Sequence, residues 1–302
     1  MPNKRTVREV LPEITWDKIA PPYPDYPYFQ GRETYPFRPH ADGFDLVNAW
    51  WLIETSTLAY AGEDFAREKF HHAGLPEIEF FSGNSTQCYV ANNDDFLILV
   101  FRGTEIRRRE DSSDFANIIA DLETDANIAL VDWEQGGKVH RGFQEALDEV
   151  WERLLDYLRS KENARRTVWF TGHSLGAALA TLAAQRYGKV RGLYTYGSPR
   201  VGDRDFKDGF PIKTYRLVNN NDIVTRVPPP WLYQHVGDLK HIDSQGFIHE
   251  NSDKVMQGIQ MEISSFLNSL EGMTAGLGAL IPEAIVDHVP TLYATHIWNN
   301  IP

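Results

Sequence analysis

Residues 166–188 read RTVWFTGHSLGAALATLAAQRYG, a strand, a sharp corner and a helix in one stretch. Val168, Trp169, Phe170 and Thr171 are residue types that fit a pleated, buried surface, and the run stops at Gly172. From Leu175 onward, Leu175, Ala178, Leu179, Leu182 and Ala183 recur at helical spacing, with Gly188 placed to stop the helix. Between the two, Gly172-His173-Ser174-Leu175-Gly176 has the GxSxG spacing of a nucleophile elbow. There the serine occupies a strained strand-to-helix corner, and the glycines leave room for close strand-helix packing. The helix N-terminus adds backbone N–H donors and partial positive charge, which suit a developing oxyanion. Ser174 is the candidate nucleophile. The competing reading, a plain glycine-serine turn between packed elements, leaves the matches below unexplained.

Outward from the elbow the chain alternates strands and helices. Gln87 to Asn92 and Asp95 to Arg102 read as neighbouring strands, the second a continuous apolar run, FLILVF, that ends at Arg102-Gly103-Thr104. A glycine followed by a small hydroxyl residue at a strand's C-terminal end suits presentation of a backbone N–H to the crevice above a sheet. Phe143 to Ser160 predicts one helix, with Phe143, Leu147, Val150, Trp151, Leu154, Leu155 and Leu158 in one stripe. Val190 to Tyr196 and Lys213 to Asn219 predict two more strands, and residues 233–250 a hairpin. Phe44 to Ala61 and the DFAREKFHHAG segment read as helices, as do Lys254 to Leu270 and the last residues after Pro290. The pattern predicts an α/β fold with a mostly parallel central sheet flanked by helices, ligands sitting outside the C-terminal ends of the strands.

Two regions stand apart. Residues 1–43 form an arm whose stretch 20–43 holds six prolines and many aromatics, expected to lie over the body formed by residues 44–302. Residues 105–123 are expected to form a lid, because the connection is long and Phe115, Ile118 and Ile119 share one apolar helical face after the Ser113 cap. That face is the candidate lid and substrate-binding surface.

Composition removes several classes of function. The 302-residue chain has a formal net charge of −12, which argues against nucleic acid as a partner. Cys88 is the only cysteine, so no intramolecular disulfide and no cysteine metal cluster can form. His71 and His72 lack carboxylates at ligand spacing, and no metal or organic cofactor is expected. No run reaches 18 apolar residues and the N-terminus lacks the apolar centre of a signal peptide. The expectation is a cytoplasmic protein, or a secreted one if a leader has been removed.

An acid and a base complete the chemistry. Asp222 follows the strand ending at Asn219 and is placed to orient a histidine, although an asparagine-rich turn would use it merely to cap local backbone. Five histidines follow it: His235, His241, His249, His288 and His296. His288 lies in a proline-marked loop just before the final helix, and gives the order Ser174, Asp222, His288 of α/β-hydrolases.

Several motifs in order, LVFRGTE, VHRGFQEAL, TGHSLGAALATLAA, YTYGSPRVGD, RLVNNNDIVTRVPP and DHVPTLY, resemble the class 3, fungal-type triacylglycerol lipases, over roughly residues 49–293. The resemblance implies the α/β-hydrolase fold with Ser174 as nucleophile, Asp222 as orienting acid and His288 as base, the last through the Asp-His-x-x-x-x-Tyr pattern ending at Tyr293. It implies oxyanion donors at the backbone N–H groups of Thr104 and Leu175 and a lid after Glu105. The expected activity is serine carboxylic-ester hydrolysis of acylglycerols or similar lipid esters, with transient contact of the lid with a lipid interface. The alternatives are an esterase for short-chain or aromatic-acid esters, and a non-catalytic protein that holds a hydrophobic ligand in the same crevice.

Overall fold

The computed structural model of the protein describes residues 7–15, 18–19, 21–104, 129–160, 163–250 and 281–302. The expected lid with Phe115, Ile118 and Ile119, and the helix expected over Lys254 to Leu270, lie outside the described residues.

In chain order the strands are β1 (Glu77–Ser82), β2 (Gln87–Asn92), β3 (Phe96–Phe101), β4 (Leu130–Asp132), β5 (Lys138–His140), β6 (Thr167–His173), β7 (Gly192–Tyr196), β8 (Thr214–Asn219), β9 (Asp238–Ile242) and β10 (Ile248–Glu250). Eight of them form one sheet in the order β1-β2-β3-β6-β7-β8-β9-β10, and β4 pairs with β5 in a separate ribbon. The run from β3 to β9 is parallel throughout, while β1, β2 and β10 join antiparallel at the edges. The helices are α1 (Leu46–Leu58), α2 (Glu63–His72), α3 (Arg141–Asp148), α4 (Trp151–Leu158), α5 (Leu175–Tyr187), α6 (Arg204–Asp208), α7 (Glu283–Val286) and α8 (Pro290–Asn300).

Strand periodicity divides the core in two. Ile98, Val100, Trp169, Tyr194, Tyr196 and Leu217 point to one face, where they meet α1, α8 and the aromatics of the arm. Leu97, Leu99, Phe101, Val168, Phe170 and Leu193 point to the other, against α3, α4 and the alanine-rich α5. Apart from its first residue α1 is wholly buried, because the sheet, α8 and the arm cover it from several sides. The arm supplies Tyr28, Phe29 and Phe37 to that core, Phe37 with its ring centroid 4.6 Å from Phe96 and 5.7 Å from Trp169.

The single helix expected over Phe143 to Ser160 is two helices, α3 and α4, broken at Glu149 and Val150. Glu149 turns its carboxylate to the β1–β2 corner, accepting from Ser85 N, Thr86 N and Ser85 Oγ at 2.8–3.0 Å. Val150 then bonds Leu147 O and leaves the helical course at φ −120°, ψ −11°. The break has a tertiary cause, and the apolar stripe survives it, since Phe143, Leu147, Val150, Trp151, Leu154 and Leu158 are all buried.

Parallel register aligns the strand ends. Phe101 pairs with Gly172, His173 with Tyr196, and Tyr196 with Leu217, so the residues that follow β3, β6, β7 and β8 emerge along one rim.

Candidate active site

Ser174 stands on that rim between β6 and α5 at φ 59°, ψ −132°, a conformation that residues other than glycine seldom adopt. Its N–H donates to Tyr196 O and its carbonyl accepts from Ala177 N, each at 3.0 Å, so strand and helix both hold the corner. The glycines of the motif permit close approach. A Cβ on Gly172 would lie 2.3 Å from the Gly176 backbone, and one on Gly176 would lie 2.2 Å from Phe101 O.

Asp222 follows β8 and is fully buried. Its carboxylate faces His288, both oxygens 2.9 Å from Nδ1. Oδ1 also accepts from Val224 N at 2.9 Å, and Oδ2 accepts the Tyr293 hydroxyl at 2.6 Å. Tyr293 in turn accepts from Asn219 N at 2.9 Å. With a carboxylate on Nδ1, the ring carries its proton there, and Nε2 is the basic nitrogen. Ser174 and His288 line one cleft, together with Thr104 and the apolar side chains of Val224, Ile285 and Val289. Leu175, the second expected oxyanion donor, is the first residue of α5.

Of the other histidines after Asp222, none contacts its carboxylate among the described residues. His235 Nε2 donates to Thr225 O and His241 Nε2 to Asn220 O, while His249 pairs with Asp243 at 2.7 Å. His296 lies within α8, a full turn and more past the loop that carries His288.

Residues to which the sequence assigned no role shape the site as well. His173, the variable position before the serine, donates from Nε2 to the main-chain O of His288 at 2.8 Å and accepts the Tyr60 hydroxyl at Nδ1 at 2.9 Å. Burial holds its pKa well below the ordinary histidine value, with the neighbouring His288 ring acting in the same direction. Gly197, at φ 56°, allows the acid and base to meet, because a Cβ there would stand 2.7 Å from Asp222 Oδ2 and 2.8 Å from His288 Nδ1. Asp287 anchors the same loop, its Oδ2 accepting from Asn220 Nδ2 and Asn221 N at 3.0 Å. Burial, reinforced by Asp222 and Glu283, pushes its carboxyl up to about 7. The signals for Asp287 and Tyr293 were present in the DHVPTLY motif and that for Gly197 in YTYGSPRVGD, whereas nothing local marks Tyr60.

Among the described residues no group of three or more His, Cys, Asp or Glu side chains is placed to hold a metal ion. Among them also, no helix is long and apolar enough to cross a membrane.

The chain is similar to known lipases. Residues 98–231 match the family described as lipase, class 3. In this region the chain is similar to the class 3 lipases. The chain is 42% identical to the secreted mono- and diacylglycerol lipase 1 of Fusarium solani, over 61% of this chain and 60% of that protein. It is 33% identical to the lipase of Rhizomucor miehei, over 65% of this chain and 54% of that protein. The chain spans about half the length of the curated relatives it matches. The crystal structure of the mono- and diacylglycerol lipase of Aspergillus oryzae superimposes with a TM-score of 0.57 at 20% identity, covering 74% of this chain and 94% of that one. The matched region therefore sits in an α/β-hydrolase fold.

Proposed function

We propose that the protein is a serine carboxylic-ester hydrolase that cleaves acylglycerols or similar lipid esters through Ser174, Asp222 and His288. The observation that carries this reading is the Asp222 carboxylate set 2.9 Å from His288 Nδ1, with the same histidine lining the cleft into which the Ser174 elbow opens. The likeness to the Fusarium mono- and diacylglycerol lipase and the Rhizomucor lipase supports the reaction class.

In this reaction His288 Nε2 takes the Ser174 proton as Oγ attacks the ester carbonyl. Asp222 holds the imidazole in the productive tautomer and stabilises its cation. The backbone N–H groups of Thr104 and Leu175 receive the oxyanion, and the α5 N-terminus adds its partial positive charge. His288 then protonates the departing alcohol. Water, deprotonated by the same nitrogen, attacks the acyl-enzyme and returns Ser174. The apolar walls at Val224, Ile285 and Val289 favour an aliphatic acyl chain over a charged one. On compartment, the cytoplasmic expectation has no support from the relatives, and the name of the secreted Fusarium lipase favours export.

The test is hydrolysis of p-nitrophenyl esters from two to sixteen carbons by the native protein and by Ser174→Ala. The expected outcome is native turnover and a fall of roughly 10⁵ or more in the variant. Absence of turnover in the native protein, joined to absence of Ser174 labelling by an organophosphonate, would overturn the reading in favour of a non-catalytic ligand-binding protein.

A further inference from the structure

The segment before α1 is held at both ends, and two of its described residues between them, Ile19 and Pro21, line the cleft. At one end Arg8 Nη1 donates to Trp298 O and Ile301 O at 3.0 and 2.6 Å, and Arg8 Nη2 to Pro302 O at 2.9 Å. Beside it the N–H groups of Arg8 and Glu9 converge on Asn299 Oδ1 at 2.8 and 3.0 Å, and Asn299 Nδ2 returns a bond to Glu9 O at 2.9 Å. At the other end the Tyr26 hydroxyl and Phe29 N donate to the two oxygens of buried Glu54 at 2.5 and 3.0 Å. Two clamps more than fifteen residues apart on an irregular segment fix where its middle runs, at a cost in chain entropy that local bonding alone does not offset.

That middle meets the catalytic loop. Ile14, Ile19 and Tyr23 pack on Ile223 and Val224, which directly follow Asp222, and on Ile285 and Val289, which flank His288. Ile19 is 8% exposed, and Tyr23 fastens it by donating to its carbonyl at 3.2 Å. Ile19 and Pro21 then turn into the cleft, on the same lining as Ser174, Thr104 and His288. Ile14 shares the packing but not the lining.

We infer that Ile19 and Pro21, carried to the cleft on this doubly clamped strap, set the acyl-chain length that the Ser174 site accepts. The inference rests on the ester-hydrolase reading. Both side chains are apolar and stand beside Val224, Ile285 and Val289, so the strap faces the hydrocarbon part of a substrate and not a charged head group. Discrimination in an apolar pocket runs at about 10-fold or more per methylene gained or blocked, and a wall built from one isoleucine is enough to place a cut-off.

The experiment is the kcat/KM profile for p-nitrophenyl esters of two to sixteen carbons for the native protein, Ile19→Ala, Ile19→Trp and Ile14→Ala. Active sites are titrated with an organophosphonate so that unfolded material does not enter the comparison. Ile19→Trp is expected to lower kcat/KM for long esters by roughly 10-fold or more relative to the two-carbon ester, and Ile19→Ala to move the optimum to longer chains. Ile14→Ala is expected to lower thermal stability while leaving the profile in place. Profiles that shift for neither Ile19 variant, or that fall equally at every length as for a structural prop, overturn the inference while the ester-hydrolase reading stands. A native protein without turnover and without Ser174 labelling overturns both.

Discussion

The imidazole of His173 holds the main-chain oxygen of His288 at 2.8 Å, so the residue before the candidate nucleophile positions the loop of the candidate base. The bond fixes the ring, since a carbonyl only accepts and Nε2 must therefore carry the proton. Nδ1 is then an acceptor, and Tyr60 Oη fills it at 2.9 Å. Three elements, α1's following turn, β6 and the α7–α8 loop, are joined through one neutral side chain.

Removing the outer hydroxyl tests that chain. Tyr60→Phe leaves a buried acceptor empty at a cost of about 1–3 kcal/mol. We expect kcat on a soluble ester to fall about 10-fold, with Ser174 still labelled by organophosphonate. An unchanged kcat would show that the loop of His288 holds its place without the Tyr60 hydroxyl.

The strained corner makes a second case. At φ 59° and ψ −132° Ser174 occupies backbone space that glycine takes at little cost. Ser174→Gly is expected to be inactive and about 1 kcal/mol more stable than the native protein in denaturant unfolding. A loss of stability would mean that the hydroxyl contributes more to folding than the strain subtracts.

Gly197→Ala would place a methyl within 3 Å of both Asp222 Oδ2 and His288 Nδ1, at a backbone φ of 56° that already disfavours alanine. Displacement of the pair by about 1 Å costs on the order of 100-fold in turnover. The check is kcat together with the rate of Ser174 labelling, which should fall in parallel.

Buried Glu54 makes stability depend on pH. Burial pushes its carboxyl from 4.5 up to about 7, against the opposing bonds from Tyr26 and Phe29. A folded-state value above the unfolded one means the native state binds the extra proton. The contribution is complete below pH 4.5, declines between about pH 4.5 and 7, and is gone above. The shift corresponds to about 3 kcal/mol. Glu54→Gln, which mimics the neutral acid, is expected to unfold with a flatter pH dependence over that window than the native protein. Parallel pH curves for the two would contradict this assignment.

The sequence carried the elbow because its signals are local. Gly172, Ser174 and Gly176 answer to backbone clearances within five residues, and β6 and α5 announce themselves by periodicity. Asp222 and His288 stand 66 residues apart, yet chain order and the proline-marked loop singled them out. Contacts made only by the finished fold left no such trace. Tyr60 meets His173 across 113 residues, and Glu149 breaks a helix by reaching a turn 63 and 64 residues away. Glu54 was hidden in a helical pattern that treated it as one more polar position, although the arm's amide and phenol both need its oxygens.

The clasp at Arg8 brings residue 8 against the carbonyl of residue 302 at 2.9 Å, so two positions far apart in sequence are neighbours in space. A circular permutant, with position 302 spliced to position 7 by a few residues and new ends opened at the Gly136-Gly137 turn of the β4–β5 ribbon, would convert that clasp into covalent chain. The strap would then be tied to position 302 by covalent chain, and its course would no longer depend on the side-chain bonds of Arg8 and Asn299.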